Sequence, residues 1–151
     1  MARKPKTQKP KTKGVRYWKK KAWTEFSKYI RLRDALKTTR TETHLICCTC
    51  HKTYPAFGRG CAQAGHFIPG RGNSILFDER GVHGQCYTCN TILKGNWPSY
   101  MSFMRANYGQ DVIEELLSLK IQTRKYLPCE LEELRDKYKQ KYKELIKENT
   151  K

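Results

Sequence analysis

Two cysteine pairs of the form Cys-x-x-Cys constrain this chain more than any other feature of its sequence. The pairs are Cys47/Cys50 and Cys86/Cys89. Four thiolates at this spacing can close a tetrahedral zinc site, and four protein ligands leave no open coordination position. The sequence therefore predicts a structural zinc that ties a knuckle in the middle of the chain to a second segment further on.

The chain has 7 cysteines, and a second interpretation of them is a set of disulfides with one thiol left over. No apolar stretch resembles a signal peptide or a transmembrane helix, so we expect a soluble, cytoplasmic protein whose thiols stay reduced. This favours zinc and leaves Cys48, Cys61 and Cys129 spare. Cys48 and Cys50 form an alternative chelating pair, but the two-residue gap fits zinc-knuckle geometry better.

The net charge is +17, from 31 Lys+Arg against 14 Asp+Glu. Such an excess predicts a polyanionic partner, for which nucleic acid is the first choice and an anionic membrane surface the competing one. A length of 151 residues fits one domain with extensions. Because the mean hydropathy is -0.83, a large apolar core is not expected, and a small domain of this kind needs a staple.

Composition divides the chain into four parts. Residues 1–14 read as a disordered basic arm that binds phosphates, or else only solubilises or localises the protein. Residues 15–40 contain a basic amphipathic helix, predicted over 16–38 from its apolar spacing. The glycine-rich segment 41–97 is the predicted zinc-bound core, and residues 98–151 form C-terminal helices.

Within the core we predict a knuckle at 47–50, strands near 63–68 and 80–85, and a helix that starts at about Cys86. The strands are joined by a loop over 69–79.

Three further helices are predicted, from Asn96, over 111–121 and from Pro128. Apolar residues of the last one recur near heptad spacing, so this helix could pack on the domain or pair with a second copy to give a homodimer.

Basic side chains on the first helix and in the core are candidate contacts to DNA phosphates, because Arg and Lys bind phosphate by hydrogen bonds and charge. The alternative for each is an ordinary solvated surface charge. The candidates are Lys19, Lys20, Lys21, Lys28, Arg31, Arg33, Arg71 and Lys94.

Two residues of the core have side chains suited to hydrolysis of a phosphodiester. His66 follows a glycine at the end of a predicted strand, where a neutral imidazole can take a proton from water; a structural histidine is the alternative. Asn90 directly follows the last predicted zinc ligand, and its amide oxygen can bind a hard divalent cation. A hydrogen bond at the start of a helix is the alternative for Asn90.

His83 and Asp78 are weaker candidates in the same segment. His83 could orient His66, contact the scissile phosphate or help to bind metal, or it could be a structural residue. Asp78 could assist the metal or remain a solvated loop acid.

These motifs together resemble the NinG/Rap recombination family of phages, and more widely the His-Me finger, or HNH-type, nucleases that include phage endonuclease VII. The resembling stretches are 26–34 (FSKYIRLRD), 47–50 (CCTC), 63–67 (QAGHF) and 82–90 (VHGQCYTCN). They lie within residues 22 to 96, about half of the chain.

The resemblance implies an α+β fold with a zinc-stapled, treble-clef-like ββα-metal core flanked by helices. It also implies a metal-dependent DNA endonuclease that cuts Holliday junctions and D-loops during phage recombination in the host cytoplasm. His66 would be the general base, and Asn90 a ligand of the catalytic Mg²⁺ or Mn²⁺, with Asp78 or His83 as further candidates.

The sequence departs from the HNH pattern at two positions. Gly65 stands where many HNH enzymes carry a metal-binding Asp, and Gly81 stands where they carry an Asn that orients the histidine. Two rival functions therefore remain. One is a non-catalytic zinc module that binds nucleic acid, and the other is a general HNH nicking or restriction enzyme.

Overall fold

The computed structural model describes residues 12–151 and has a mixed α+β architecture with small antiparallel sheets, which confirms the α+β part of the predicted fold class. Residues 1–11 of the basic arm that was predicted over residues 1–14 lie outside the described part of the chain. The described helices are α1 (Val15–Thr39), α2 (Trp97–Asn107), α3 (Gln110–Lys120) and α4 (Pro128–Asn149). The strands are β1 (His44–Ile46), β2 (Thr53–Pro55), β3 (Gln63–His66) and β4 (Val82–Gln85).

The strands form two small antiparallel hairpins rather than one sheet. In the first hairpin β1 pairs with β2, and Leu45 lies opposite Tyr54. In the second hairpin β3 pairs with β4, and Gly65 lies opposite His83. The knuckle at 47–50 is therefore in the turn of the first hairpin, and the candidate residues His66 and His83 belong to the second.

The β3–β4 hairpin lies between two layers of helices. Ala64 and Val82 pack on apolar side chains of α1 and α4, including Phe26 and Tyr138. Because neighbouring residues of a strand face opposite ways, His83 points toward α2 instead. The core on that side includes Phe67, Ile68, Ile75, Tyr100, Met104, Ile113 and Leu116. Both faces of this short hairpin are thus covered.

The helix predicted from Cys86 is only one π-helical turn, Thr88–Ile92. The chain leaves this turn through Lys94, Gly95 and Asn96, which all have positive φ (50°, 97° and 47°). A left-handed backbone cannot continue a right-handed helix, so the next helix, α2, begins separately at Trp97.

Arg33 and Asp34 hold α1 against β4. Asp34 is 6% exposed, and its carboxylate accepts hydrogen bonds from the Gly84 amide (2.7 Å) and from Arg33 Nε (2.7 Å). Arg33 also donates to the carbonyls of Glu79 (2.9 Å) and Val82 (2.8 Å). The prediction that Arg33 contacts DNA does not fit this position, because its guanidinium is already bonded inside the fold.

The apolar side of helix α4 packs against other parts of the same chain. Tyr138 packs edge-on against Phe26 of α1, with ring centroids 4.7 Å apart, and Leu131 is fully buried. The hydroxyl of Tyr138 donates to Glu79, which also accepts from Tyr29. Of the two alternatives for this helix, the structure shows packing on its own domain.

Among the described residues, no helix combines the length and the apolar character that a membrane crossing requires.

We expect Asp34→Ala to lower the free energy of unfolding by about 3 kcal/mol, since it leaves the buried Gly84 amide without a partner and removes the carboxylate from Arg33. Urea unfolding of the zinc-loaded protein, followed by circular dichroism, measures this change. The control is Glu25→Ala on the same helix, whose ion pair with Lys28 spans 3.6 Å at the surface and should contribute less than about 1 kcal/mol. Equal effects of the two substitutions would contradict the role of Asp34.

Candidate metal centre and the adjoining cleft

The four predicted zinc ligands come together in the structure. The Sγ atoms of Cys47, Cys50, Cys86 and Cys89 all lie within 4.8 Å of one another. Those of Cys50 and Cys86 are 3.8 Å apart. A tetrahedral zinc with bonds of about 2.3 Å requires sulfurs about 3.8 Å apart, so the cluster has the size of a zinc site.

Hydrogen-bond donors surround these sulfurs, as thiolate ligands require. The amides of Cys86 and Cys89 donate to Cys47 Sγ (3.3 Å) and Cys86 Sγ (3.4 Å), and Asn96 donates to Cys89 Sγ (3.6 Å). Burial alone would raise the pKa of Cys47, but donors from Cys50, Thr49 and Cys86 outweigh it and lower the pKa to about 7. The cluster can therefore bind a metal such as zinc, with four sulfurs and no open position.

The remaining cysteines do not belong to this cluster. Cys48 is buried in the apolar core beside Tyr100, and burial raises the pKa of its thiol. None of the seven cysteines forms a disulfide in the structure, and four of them are grouped as a metal site would need, so the structure favours the metal alternative. The alternative pair of Cys48 with Cys50 is not the one that the fold assembles.

Next to the metal cluster is an open cleft of about 740 Å³, which we call the His66 cleft. Five of the predicted site residues line it: Arg31, His66, Arg71, Asn90 and Lys94. Trp23, Gln63 and Cys61 also line it and were not predicted. No acidic side chain is among its lining residues in the described part of the chain, so the cleft is cationic and suited to an anion.

His66 ends β3 with its ring held on two sides. Its Nε2 lies 3.1 Å from the carbonyl oxygen of Leu76, and its ring stacks on Trp23 at 5.2 Å and 19°. A carbonyl only accepts, so Nε2 carries the proton and Nδ1 has the free lone pair. Burial lowers the pKa of His66, and the positive charge of Arg71 lowers it further. The hydrogen bond to Leu76 raises the pKa but does not offset burial, so the pKa is about 4. The imidazole is therefore neutral at pH 7.

Asn90 lies in the single π-helical turn, and its amide orientation is fixed by a neighbour. Nδ2 donates to Gln63 Oε1 at 2.7 Å, and this oxygen also accepts from the Thr91 hydroxyl. The Oδ1 atom faces Gly65, because a Cβ built on that glycine would be 2.9 Å from it. Asn90 Oδ1 is thus directed at the residue that precedes His66.

His83 does not line the His66 cleft. It is 3% exposed, and its two ring nitrogens lie 3.0 Å from the Tyr100 hydroxyl and 2.8 Å from the Tyr108 hydroxyl. Burial lowers its pKa well below the usual value, so the ring is neutral. A catalytic role does not fit this position, since both nitrogens are bonded in the core. Tyr100 also donates to Gly65 O at 2.8 Å, which ties His83 to β3 indirectly.

Asp78 is also outside the cleft. Its carboxylate accepts from the Arg80 amide (3.0 Å) and side chain (2.9 Å), and Arg80 in turn pairs with Glu115. The tentative prediction of Asp78 as a metal ligand does not fit an acid that is already neutralised by an arginine.

The predicted cations of α1 differ in their surroundings. Lys19 and Lys20 line a second cleft of about 450 Å³, which shares Trp23 and Arg71 with the His66 cleft. Lys21 lies over the ring of Tyr17 at 5.6 Å, and Lys28 pairs with Glu25. Arg31 reaches the His66 cleft but already donates to the Ser27 and Ala56 carbonyls.

Comparison with known proteins places the chain among phage proteins. The family model described as "Bacteriophage Lambda NinG protein" matches residues 2–148. Protein ninG of Escherichia phage 933W is 30% identical over 130 residues, and that of Escherichia phage lambda is 29% identical. Each alignment covers 85% of this chain but only 58% and 57% of the relative, so the chain spans little more than half their length. No solved structure matches.

We expect one zinc per chain in the wild-type protein and in Cys48→Ala, but loss of zinc in Cys50→Ala. The two positions are neighbours in the same knuckle, so they form a matched pair that differs only in whether the thiol joins the cluster. Elemental analysis of purified protein, with zinc supplied during expression, measures the stoichiometry. Loss of zinc from Cys48→Ala and its retention by Cys50→Ala would overturn the ligand assignment.

Proposed function

This chain belongs to the NinG family of bacteriophage lambda, and we propose that it is a metal-dependent endonuclease that cuts branched DNA such as Holliday junctions and D-loops. Membership of the family by itself names no activity. The observation that carries the proposal is that a neutral imidazole and an amide oxygen lie beside one cationic cleft next to a cluster of four cysteines.

His66 is suited to be the general base of phosphodiester hydrolysis. Its Nδ1 has a free lone pair, and the low pKa keeps the ring neutral at pH 7, so no deprotonation step precedes the reaction. In the proposed step Nδ1 takes a proton from water while the water oxygen bonds to phosphorus. The bond from phosphorus to the leaving oxygen breaks, and that oxygen is protonated by solvent.

The orientation of His66 would come from its own surroundings rather than from the side chain at position 81. The carbonyl of Leu76 fixes the tautomer, and Trp23 holds the ring plane. Gly81 is buried under Leu116 and offers no side chain for this task. The departure from the HNH pattern at this position therefore need not remove activity.

Asn90 Oδ1 is the proposed ligand of a catalytic divalent cation, since hard ions such as Mg²⁺ and Mn²⁺ bind amide oxygens. When bound there, the ion would stabilise negative charge on the phosphate and on the leaving oxygen. The residues fit such an ion because Asn90 Nδ2 is held by Gln63, which leaves the oxygen free on the side of Gly65.

The cations around the cleft are suited to hold the DNA backbone. Arg71 and Lys94 line the His66 cleft, and Lys19 and Lys20 extend the positive surface along α1 through the adjoining cleft. Phosphate contacts of this kind give affinity without base readout. This is compatible with a substrate recognised by shape.

The order of the elements supports a His-Me finger core like that of endonuclease VII. Strand β3 ends at His66, β4 follows antiparallel to it, and the next turn contains Cys89 and Asn90. The cysteine cluster joins the end of β4 and this turn to the first hairpin. A two-stranded hairpin followed by a metal-stapled helical turn is what the resemblance implies.

We expect His66→Ala to cut a labelled four-way junction at least about 100-fold more slowly than wild type in Mg²⁺ or Mn²⁺, because the general base is lost. Binding of the junction should be unchanged. The matched control is His44→Ala, since His44 is exposed on β1 and lines neither cleft. Gel analysis of nicked products and band-shift titrations at one fixed salt concentration measure the two quantities.

The same assay separates the rival functions. Equal cutting by His66→Ala and wild type would remove His66 from the mechanism. Binding without cutting by wild type, over several metals, would support a non-catalytic zinc module. Equal cutting of junction and linear duplex would support a general HNH nicking enzyme.

We expect Arg71→Ala and Lys94→Ala each to weaken binding to DNA and to reduce the slope of log affinity against log salt by about 1, as for the loss of one phosphate contact. Lys120→Ala is the control, because Lys120 is exposed at the end of α3 and lines neither cleft. Fluorescence anisotropy over a range of salt concentrations gives the slopes. Slopes that match wild type in both cleft variants would exclude these residues from the phosphate contacts.

A further inference from the structure

Gln85, the last residue of β4, has a buried oxygen without a partner. The residue is 0% exposed, and its Oε1 is the one buried side-chain nitrogen or oxygen in residues 12–151 that makes no hydrogen bond. Its Nε2 donates to Gly95 O (2.9 Å) and Thr49 Oγ1 (3.1 Å). Because a carbonyl oxygen only accepts, the nitrogen must face Gly95, and the orientation of the amide is fixed.

The orphaned oxygen points to the space above Gly65. A Cβ built on Gly65 would lie 2.1 Å from Gln85 Oε1 and 2.9 Å from Asn90 Oδ1. Two amide oxygens on different elements therefore both face Gly65 and lie within about 5 Å of each other. Any side chain at position 65 would displace them, so the glycine is what lets them meet.

An unpaired buried amide oxygen costs about 1–3 kcal/mol, so a partner from outside the protein, such as a cation, would stabilise Gln85 Oε1. Amide oxygens are hard ligands, and they suit Mg²⁺ and Mn²⁺ rather than the soft-ligand metal of the cysteine cluster. His66 and Asn90 line the cationic cleft where a phosphate would lie, and the side chain of Gln85 is buried beneath it.

We propose that Gln85 Oε1 and Asn90 Oδ1 together bind a divalent cation, and that Gln85 supplies the oxygen that position 65 lacks. This inference rests on the proposed function, because it completes the metal site of that reaction. Two neutral ligands bind the ion weakly, and Mg²⁺ usually keeps waters and takes substrate phosphate oxygens for the rest of its shell. The protein without DNA should therefore bind Mn²⁺ weakly, through these two oxygens.

Paramagnetic broadening by Mn²⁺ tests the site without any activity measurement. In the zinc-loaded, isotope-labelled full chain, we expect Mn²⁺ to broaden the amide signals of Gly65 and His66 before those of Gly58 and Gly109. Gln85→Met keeps the length of the side chain but removes the oxygen, and should weaken Mn²⁺ binding about tenfold or more. Gln85→Glu keeps an oxygen and adds a charge, and should bind Mn²⁺ more tightly than wild type.

The outcomes are distinct. Broadening centred on Gly65 that Gln85→Met weakens and Gln85→Glu strengthens supports the site. Unchanged Mn²⁺ affinity in both variants overturns it, as does broadening centred elsewhere, and either result would leave a buried water as the partner of the two oxygens. If Gln85→Met does not fold, as judged by its zinc content and amide spectrum, Gln85→Glu and Asn90→Ala decide in the same way.

Junction cleavage separates this inference from the function on which it rests. If Mn²⁺ binding depends on Gln85 but the protein cuts no DNA, the metal site is supported and the proposed nuclease activity is rejected. If Gln85→Met cuts DNA at the wild-type rate, the nuclease activity is supported and the role of Gln85 as a ligand of its metal is rejected.

Discussion

Four sulfurs around one point hold the middle of this protein together. Cys47 and Cys50 belong to the first hairpin, whereas Cys86 and Cys89 follow β4, so a metal there joins two hairpins that share no sheet. Zinc binding to such sites is worth about 10–16 kcal/mol in small peptides, which is as large as the whole net stability of a typical domain. For a chain that is only 38% hydrophobic, this staple outweighs any single apolar contact.

Strand β4 connects this staple to several other parts of the fold. Val82 accepts from Arg33 of α1, and the Gly84 amide donates to Asp34 on the same helix. His83 bonds to tyrosines of the α2 side, and Gln85 reaches across to the strand that ends at His66. A disturbance of β4 would therefore reach the core, the helices and the cleft together.

The sequence predicted the helices well and the candidate site in part. Helix α1 and the last two helices follow from apolar spacing and from Gly and Pro signals, which are local. The turn after Cys86 was predicted as a longer helix because nothing in its composition marks the left-handed backbone of Lys94 and Asn96. His66 and Asn90 do share a cleft, as their places in the pattern indicated.

Two other candidate residues form bonds that their residue type alone does not indicate. Arg33 was predicted to contact DNA, but it donates to the carbonyls of Glu79 and Val82, which are distant in sequence. Asp78 was a tentative metal ligand, but it pairs with Arg80, two residues further along the chain. Gln63 and Trp23 carry no signal in the sequence, although they position Asn90 and His66.

The sequence by itself determined which four cysteines can bind a metal and the large positive charge of the chain. Ligand spacing within a Cys-x-x-Cys pair is a local property, and net charge is a sum that no fold can change. Only the tertiary structure decided which histidine faces the cleft, which arginines line it, and where the amide oxygens of Gln85 and Asn90 point. Each of these depends on contacts between segments far apart in the chain, whose geometry no short motif encodes.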